Sequence, residues 1–352
     1  MKKILVDGRM VGAQGHGIGN YVEDIARYFL AHPPKGFALE FLIAPQCPSI
    51  SPLRQFSTQE FKVKFLSPLE PWLLARQLRS YTFSLFHSPS FVSLADRSIP
   101  HIHTVHDLNH LQWGNFFQKL YYRFLLRPSL LSSAMISTVS EFSRRELESW
   151  LGEERKIRVI PNAISTFPTA SNEILTKFGL PKVFFFCLSN SKPHKNVDIL
   201  LEAYSLAREQ GCEIPLLTNV EGEYIEGVRR FSNLKQMEIA TLMHHCHSFF
   251  MPSLYEGFSR TPLEATLSGK AVIVSDIAAH RETLAGVEEA TFISPRQERI
   301  WASTFLAFSK GKVPLPPSES SIQWVKENYS LETFGKALLE FYESALESPL
   351  AR

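Results

Sequence analysis

The chain is poor in cysteine, and the four it has (Cys47, Cys187, Cys212 and Cys246) stand far apart. With no Cys-x-x-Cys pair, neither a zinc ribbon nor a disulfide framework is expected, and the thiols read as free and buried in a reducing compartment. Long apolar runs are missing too. No stretch of about eighteen apolar residues occurs, so no membrane span is expected. Two lysines and a short apolar run open the chain, but Asp7 and Arg9 interrupt it before a signal-peptide core can form. These absences point to a cytoplasmic protein, with peripheral contact at the inner face of a membrane left open. A large charge of one sign is also absent. The formal net charge of +2 argues against a nucleic-acid partner, yet suits an anionic ligand or an acidic membrane surface.

What is present is globular. Hydrophobic residues make up 44% and charged residues 20% of 352, too long a chain for one comfortable core. Short apolar runs alternate with helix-length segments: KILVD, LEFLIAP, FSLFHSP, HIHTVHD, AMISTVS and IRVIPN, then VFFFCLS, SFFMPS, AVIVSD and ATFISP. Such runs predict parallel sheets covered on both faces, and their recurrence predicts an α/β protein of two Rossmann-like domains. The first should span 1–165 and the second 166–334, with the break in the Pro/Ser-rich IPNAISTFPTASNEI. A final helix within 335–352, after the linker KVPLPPSESS, should pack back across the first domain.

Three stretches carry polar residues at strand ends. After the first strand comes GAQGHGIGNYVEDIARYF. Gly15, Gly17 and Gly19 allow a close backbone approach, and a helix starting near Asn20 would aim its dipole at an anion. A dinucleotide fingerprint would need glycine at Val22 and an acid ending the second strand, where Glu40 stands at its start. A plain connecting loop is the other reading. In HIHTVHDLNH, His101 and His103 share one strand face. Either they are structural, satisfied by backbone, or they begin a metal site whose third ligand is not visible. His106 and Asp107 stand at the C-terminal end of the strand, where α/β sheets bind ligands.

The second half opens with FFFCLSNSKPHKNVDILLEAY. Lys192 and Lys195 occupy a turn before a helix beginning near Asn196, and a cation at a helix start calls for an anion. Later, SFFMPSLYEGFSRTPLEATLSGKAVIVSD places Glu256 in a loop after a strand, beside Gly257, where an unpaired acid is costly. A helix from Pro262 to about Ser268 follows. Thr261 fits its N-cap and Glu264 would complete a capping box. His244, His245 and His247 cluster around Cys246 at a helix end and do not face each other for chelation.

At these residues the chain resembles the retaining, GT-B-fold glycosyltransferases of family four. The likeness covers nearly the whole chain: GHGIGNY, TVHDL, TVSEFSRREL with IRVIPNAI, SKPHKN, and SLYEGFSRTPLEA with its two glutamates. It implies two Rossmann-like domains facing across a cleft, the donor on the second and the acceptor on the first. By that resemblance Glu256 would bond the donor sugar's hydroxyls, and Glu264 the ribose. Lys195 would neutralise the diphosphate, with Asn190 and Lys192 beside it. Backbone at Phe258, Ser259, Arg260 and Thr261 would contact sugar or diphosphate. His106 would line the sugar pocket, Gly17 and Gly19 would admit the donor phosphate, and Asp107 and Asn20 would lie on the acceptor side. No cofactor is implied, and the nucleotide-diphosphate sugar is substrate. No Asp-x-Asp triplet, the metal-diphosphate anchor of the other main glycosyltransferase fold, occurs in the chain. The resemblance implies a retaining, metal-independent reaction, with a glycan or lipid-linked acceptor in bacterial surface polysaccharide synthesis. The PHKN turn points towards mannosyl or related donors.

The chain departs from the family pattern at Ser189 and Ser191, where Gly and Arg are usual, and at Ser259 and Arg260 in place of Gly and Leu. A degenerate nucleotide-sugar-binding protein is thus a rival reading; a sugar-nucleotide epimerase, which can share the two-domain architecture, is a second, and a metal hydrolase on the His strand is a third. WGNFFQKLYYRFLLRPSLL, which contains 116–131, sets Lys119, Arg123 and Arg127 four apart. It reads first as an amphipathic helix packed on its own domain, and second as a contact with an anionic membrane.

Overall fold

An apolar strand without polar alternation must be covered on both faces, and a parallel sheet wrapped by helices does this. The computed structural model contains two such sheets. It describes residues 1–12, 17–63, 67, 69–152, 156–167 and 172–348, and strand counts refer to those residues. The chain divides into two units, Met1–Ala163 with Leu331–Arg352, and Ile164–Ser330.

In the first unit β1 (Lys2–Asp7), β2 (Phe37–Ile43), β3 (Ser57–Glu60), β4 (Leu85–Ser88), β5 (His101–Val105), β6 (Met135–Thr138) and β7 (Ile157–Val159) form one sheet. Its order is β3-β2-β1-β4-β5-β6-β7, with every pairing parallel. The direction of winding reverses between β1 and β4, and ligands bind at such a switch, beyond the carboxyl ends of the strands. The helix Leu331–Glu347 belongs to this unit. It buries Phe334, Leu338, Phe341 and Tyr342 against a cluster containing Val6, Ile25 and Phe29. Each such side chain contributes about 1.5–3 kcal/mol. Gly335 is required there, because a Cβ would lie 2.1 Å from the Tyr28 ring.

The second unit repeats the design with β8 (Phe185–Cys187), β9 (Leu216–Thr218), β10 (Val228–Arg230), β11 (Ser248–Met251), β12 (Ala271–Ser275) and β13 (Thr291–Ile293). The order β10-β9-β8-β11-β12-β13 is again wholly parallel, with its switch between β8 and β11. One face is packed by Trp301, Phe305 and Tyr204, the other by Leu242, Leu263 and Tyr329.

Several local expectations are corrected. The first helix runs Gly17–Ala31, beginning before Asn20; Gly15 lies outside the described residues. The helix expected from Pro262 runs Arg260–Leu267. Ser259 holds the N-cap position with no side-chain cap, so Thr261 is inside the first turn and no capping box forms. Pro262 tolerates this, since N–H groups in a first turn have no intrahelical partner to lose. The 116–131 stretch is not one regular helix. A π-helical segment, Tyr122–Leu126, separates helices Phe116–Tyr121 and Arg127–Ser132. Among the described residues no helix is long and apolar enough to cross a membrane.

Candidate active site

The switch of the second sheet brings two sequence candidates together. Lys195 ends a short 3-10 turn, Pro193–Lys195, after β8, and Glu256 lies in the loop after β11. The Lys195 Nζ stands 2.7 and 2.8 Å from the two Glu256 carboxylate oxygens. The pair is screened but not sealed, with side-chain exposures of 16% and 9%. Asn196 fixes the turn. It adopts a left-handed conformation, φ 55°, which asparagine tolerates better than most residues. Its Nδ2 donates to the carbonyls of Pro252 at 3.0 Å and Pro295 at 2.9 Å, tying the ends of β8, β11 and β13. The Leu254 N–H also donates to the His194 carbonyl, 2.8 Å, locking the Glu256 loop to the lysine turn.

Glu256 belongs to a longer polar chain. Ser253 Oγ donates to its Oε1 at 2.6 Å. The Ser253 carbonyl accepts from Ser275 Oγ, which lies beside the His280 ring. Burial alone would push the Glu256 carboxyl up. The Lys195 ammonium, the His280 ring and the hydrogen bonds from Lys195 and Ser253 outweigh that and hold it below its ordinary value. Glu256 is therefore ionised at neutral pH. His280 is fully buried, and burial pushes its pKa down. Its Nδ1 meets the Ser275 carbonyl at 2.8 Å, while its Nε2 has no hydrogen-bond partner.

The other second-unit candidates surround this centre unevenly. Arg260 and Glu264 lie near each other on the short helix, Nε to Oε1 3.8 Å. Ser259 is buried with an unpartnered Oγ, and Phe258 packs its ring edgewise on Tyr329. Asn190 and Lys192 line a hollow of about 440 Å³ with Asn196, Val220, Gly222 and Arg230; Lys195 and Glu256 are not in its wall. Of the departing serines, Ser191 is exposed, and Ser189 is clamped by Asn219, which accepts from its N–H and donates to its carbonyl.

In the first unit, His106 follows β5. Its Nε2 donates to the Pro89 carbonyl at 3.1 Å, and Tyr21 packs edge-on against its ring at 4.8 Å. Asp107 Oδ1 accepts from the Asn109 N–H, a local turn contact. Asn20 is exposed. A Cβ on Gly17 would meet nothing within 4 Å, whereas one on Gly19 would lie 3.0 Å from the Met10 carbonyl oxygen, so Gly19 serves packing against the turn that follows β1. His101 and His103 have both ring nitrogens engaged, His101 with the Ile99 and Ser129 carbonyls and His103 with Ser133 Oγ and the Val92 carbonyl. Of the two readings of these histidines, the geometry favours the structural one. Among the described residues no group of three or more His, Cys, Asp or Glu could hold a metal ion.

Comparison with known proteins separates the same two halves. The model described as Glycosyltransferase Family 4 matches residues 15–166, and that described as Glycosyl transferases group 1 matches residues 181–309. The chain is a family-four glycosyltransferase. Among its relatives is the O-antigen chain mannosyltransferase RfbU of Salmonella typhimurium, 25% identical over 260 residues, covering 69% of this chain and 71% of that one. O-antigen chain mannosyltransferase B of Escherichia coli is 27% identical over 241 residues, covering 61% and 63%. In fold the chain is similar to HepE of Anabaena, solved with UDP and glucose, at a TM-score of 0.72 and 16% identity, covering 98% of this chain and 100% of that one. The architecture is GT-B.

Sequence reasoning about this glycosyltransferase missed four residues that shape the site: Asn196 as the clamp, Ser253 as donor to Glu256, His280, and Asn219 behind Ser189. Ser253 follows a strand end within two residues, a signal that was visible. His280 comes through a helix, and no spacing in the sequence links it to Glu256. A buried ion cluster in the first unit also went unread. Arg9 forms a fork with Asp7, Nε to Oδ1 2.8 Å and Nη2 to Oδ2 2.6 Å, and its Nη1 lies 2.7 Å from Glu70 Oε1.

Proposed function

We propose that this glycosyltransferase moves a hexosyl group, mannosyl in the first instance, from a nucleotide-diphosphate donor to a glycan or lipid-linked acceptor of a bacterial surface polysaccharide, with retention and without a metal. The names of the two O-antigen relatives support the sugar and the setting. The observation that carries the chemistry is the Lys195–Glu256 pair at the strand switch.

In the reaction the donor's C1–O bond breaks and its electron pair stays on the diphosphate. The acceptor oxygen bonds to C1 on the same face, and its proton passes to the departing phosphate oxygen. Negative charge grows on that oxygen. Lys195 Nζ and the N-terminus of the helix Arg260–Leu267, whose N-cap Ser259 makes no side-chain cap, are fixed positive poles suited to it, without a metal. Ionised Glu256 accepts hydrogen bonds from the sugar's hydroxyls. Its Oε1 already takes bonds from Lys195 and Ser253, which suits holding a sugar and not attacking it. Glu264 holds the ribose, and Asn190 and Lys192 support the diphosphate. His106, steadied by Tyr21 and Pro89, lines the sugar's side of the first unit. Arg260 supplies a second cation for the diphosphate or an acidic sugar; unchanged donor affinity in Arg260→Leu would contradict this role.

The test is a transfer assay in EDTA with mannosyl, glucosyl and galactosyl nucleotides, reading the anomeric proton of the product by NMR. The reading expects one donor class to be used at full rate in EDTA with retained configuration. An inverted product, or transfer abolished by EDTA and restored by a divalent metal, would overturn it.

A further inference from the structure

His280 belongs to the polar chain of Glu256, yet no step of the proposed reaction uses it, and it is costly to keep. It is fully buried, and its Nε2 has no hydrogen-bond partner. A leucine would fill the same space and leave no polar atom unpaired, so the imidazole calls for a reason. Anchoring the short helix Ala278–Thr283 is not that reason. Ala279 and Thr283 are buried on the same helix, and Arg281 pairs outward with Asp276 at 2.7 Å and lies over the Phe292 ring at 3.9 Å. What sets His280 apart is its hold on Ser275, the last residue of β12.

The direction of each hydrogen bond follows from the atoms. Burial holds the ring below its ordinary pKa, so at neutral pH it is uncharged and carries one proton. The Ser275 carbonyl, 2.8 Å from Nδ1, can only accept, which places that proton on Nδ1. Ser275 Oγ, 3.2 Å from the same nitrogen, therefore cannot donate to it, and gives its hydrogen to the Ser253 carbonyl. Ser253 Oγ in turn donates to Glu256 Oε1 at 2.6 Å. Every donor thus points from the ring towards the carboxylate. The two oxygens of Glu256 end up unequal. Oε1 takes both Ser253 and Lys195, whereas among the described residues Oε2 takes Lys195 alone and keeps room for a further donor. Turning the carboxylate would break the Ser253 bond, and Ser253 is held because Ser275 grips its carbonyl.

We propose that His280 is a positioning residue for the transfer: it aligns Ser275, which holds Ser253, which presents Glu256 Oε2 to a hydroxyl of the donor sugar. This rests on the reading that Glu256 binds that sugar. It adds that the grip on the sugar, but not on the nucleoside diphosphate, depends on a side chain two residues removed from the ligand.

Isothermal titration calorimetry on the intact protein separates the two grips. The probes are mannosyl, glucosyl and galactosyl nucleotides and, for each, the nucleoside diphosphate without its sugar. His280→Leu should weaken the accepted sugar nucleotide by about two- to tenfold, the worth of one neutral hydrogen bond, and leave the bare diphosphate unchanged. His280→Asn, whose amide N–H can stand where the Nδ1–H does, should bind as wild type does. Ser275→Ala should reproduce His280→Leu, and as the smaller change it carries the test if the leucine variant fails to fold. Glu256→Ala keeps the two readings apart. If it weakens the sugar nucleotide selectively while His280→Leu and Ser275→Ala do not, the role of His280 is overturned and that of Glu256 stands. Equal weakening of both ligands in His280→Leu, or no rescue by His280→Asn, would show a merely structural histidine and overturn the proposal. If Glu256→Ala leaves the sugar nucleotide and the diphosphate as in wild type, the reading of Glu256 falls and this proposal falls with it.

Discussion

Each unit of this glycosyltransferase carries ionic groups near the strand switch of its sheet, and the two clusters are built differently. In the first unit Asp7, Arg9 and Glu70 are sealed, with exposures of 3%, 3% and 0%. Burial alone would lower the arginine's pKa; Asp7 and Glu70 more than offset it and raise it. The guanidinium also lies over the Phe61 ring at 4.8 Å. In the second unit Lys195 and Glu256 are equally close but partly open. The same chemistry, closed to solvent, serves as a brace between β1 and the helix Glu70–Leu78; left open at a switch, it is available to a ligand. Closeness of charges is therefore a poor guide to function by itself, and access decides.

Breaking the sealed cluster should give the largest effect on the fold. Arg9→Met strands two buried carboxylates, and removing one partner of a buried pair costs on the order of 3–5 kcal/mol. Chemical denaturation should show that loss or failure to fold. A loss below about 1 kcal/mol, the value of an exposed pair, would mean the cluster is not sealed.

Breaking the open pair should separate stability from activity. Lys195→Met leaves Glu256 buried without its cation and should cost a similar amount of stability, with turnover falling on the order of a hundred- to a thousandfold. Adding Glu256→Gln should restore most of the stability and none of the turnover. Recovery of turnover in the double variant would remove Lys195 and Glu256 from the site.

Acid should sharpen the comparison further. His87 is buried in the first unit between the Tyr342 hydroxyl and Thr104, and burial, then His106, lowers its pKa to about 3. Between its unfolded value near 6.5 and about 3 the unfolded chain binds the extra proton, so stability falls as pH falls through that window. Glu256 is depressed, so its contribution is present above the ordinary carboxylate range, about pH 4, and disappears only below it. Thermal melts from pH 7 to 4 should decline, and His87→Gln should flatten the slope. An unchanged slope would mean that the ring is not held neutral.

The smallest effects concern the glycine loop. Gly17→Ala should be neutral or stabilising by about 0.5–1 kcal/mol, as for alanine in an open helical position. Gly19→Ala must displace the Met10 carbonyl and should destabilise by about 1 kcal/mol. Equal melting temperatures would show that Gly19 has room.

Much of this was legible in the sequence, for identifiable reasons. Runs such as KILVD and AVIVSD are too apolar for anything but a covered strand, and they fall on β1 and β12. The strands not foreseen are β3, β9 and β10. Ser57–Glu60 and Val228–Arg230 are edge strands, polar or charged, with no apolar run to announce them, and Leu216–Thr218 is only three residues long. Lys195 and Glu256 stood out because their charges were awkward where the sequence put them; the structure pairs them. The Thr261–Glu264 capping box looked sound from spacing alone, but the helix begins at Arg260, and Glu264 finds a charged partner four residues back. The Asp7–Arg9–Glu70 brace could not be read, because Glu70 reaches Arg9 only through the tertiary fold. The exposed phenylalanines of 113–124 were legible as apolar residues, but which of them would be covered depends on a π-helical segment that no periodicity announces.

The central claim is that the open pair of the second unit holds a nucleotide-diphosphate sugar. Thermal shift in EDTA against a panel of such donors tests it most directly, on wild type, Glu256→Ala and Lys195→Met. The account predicts a rise in melting temperature with one donor class, lost or much reduced relative to each variant's own baseline. An equal rise in wild type and both variants, or none with any donor at saturating concentration, would contradict it.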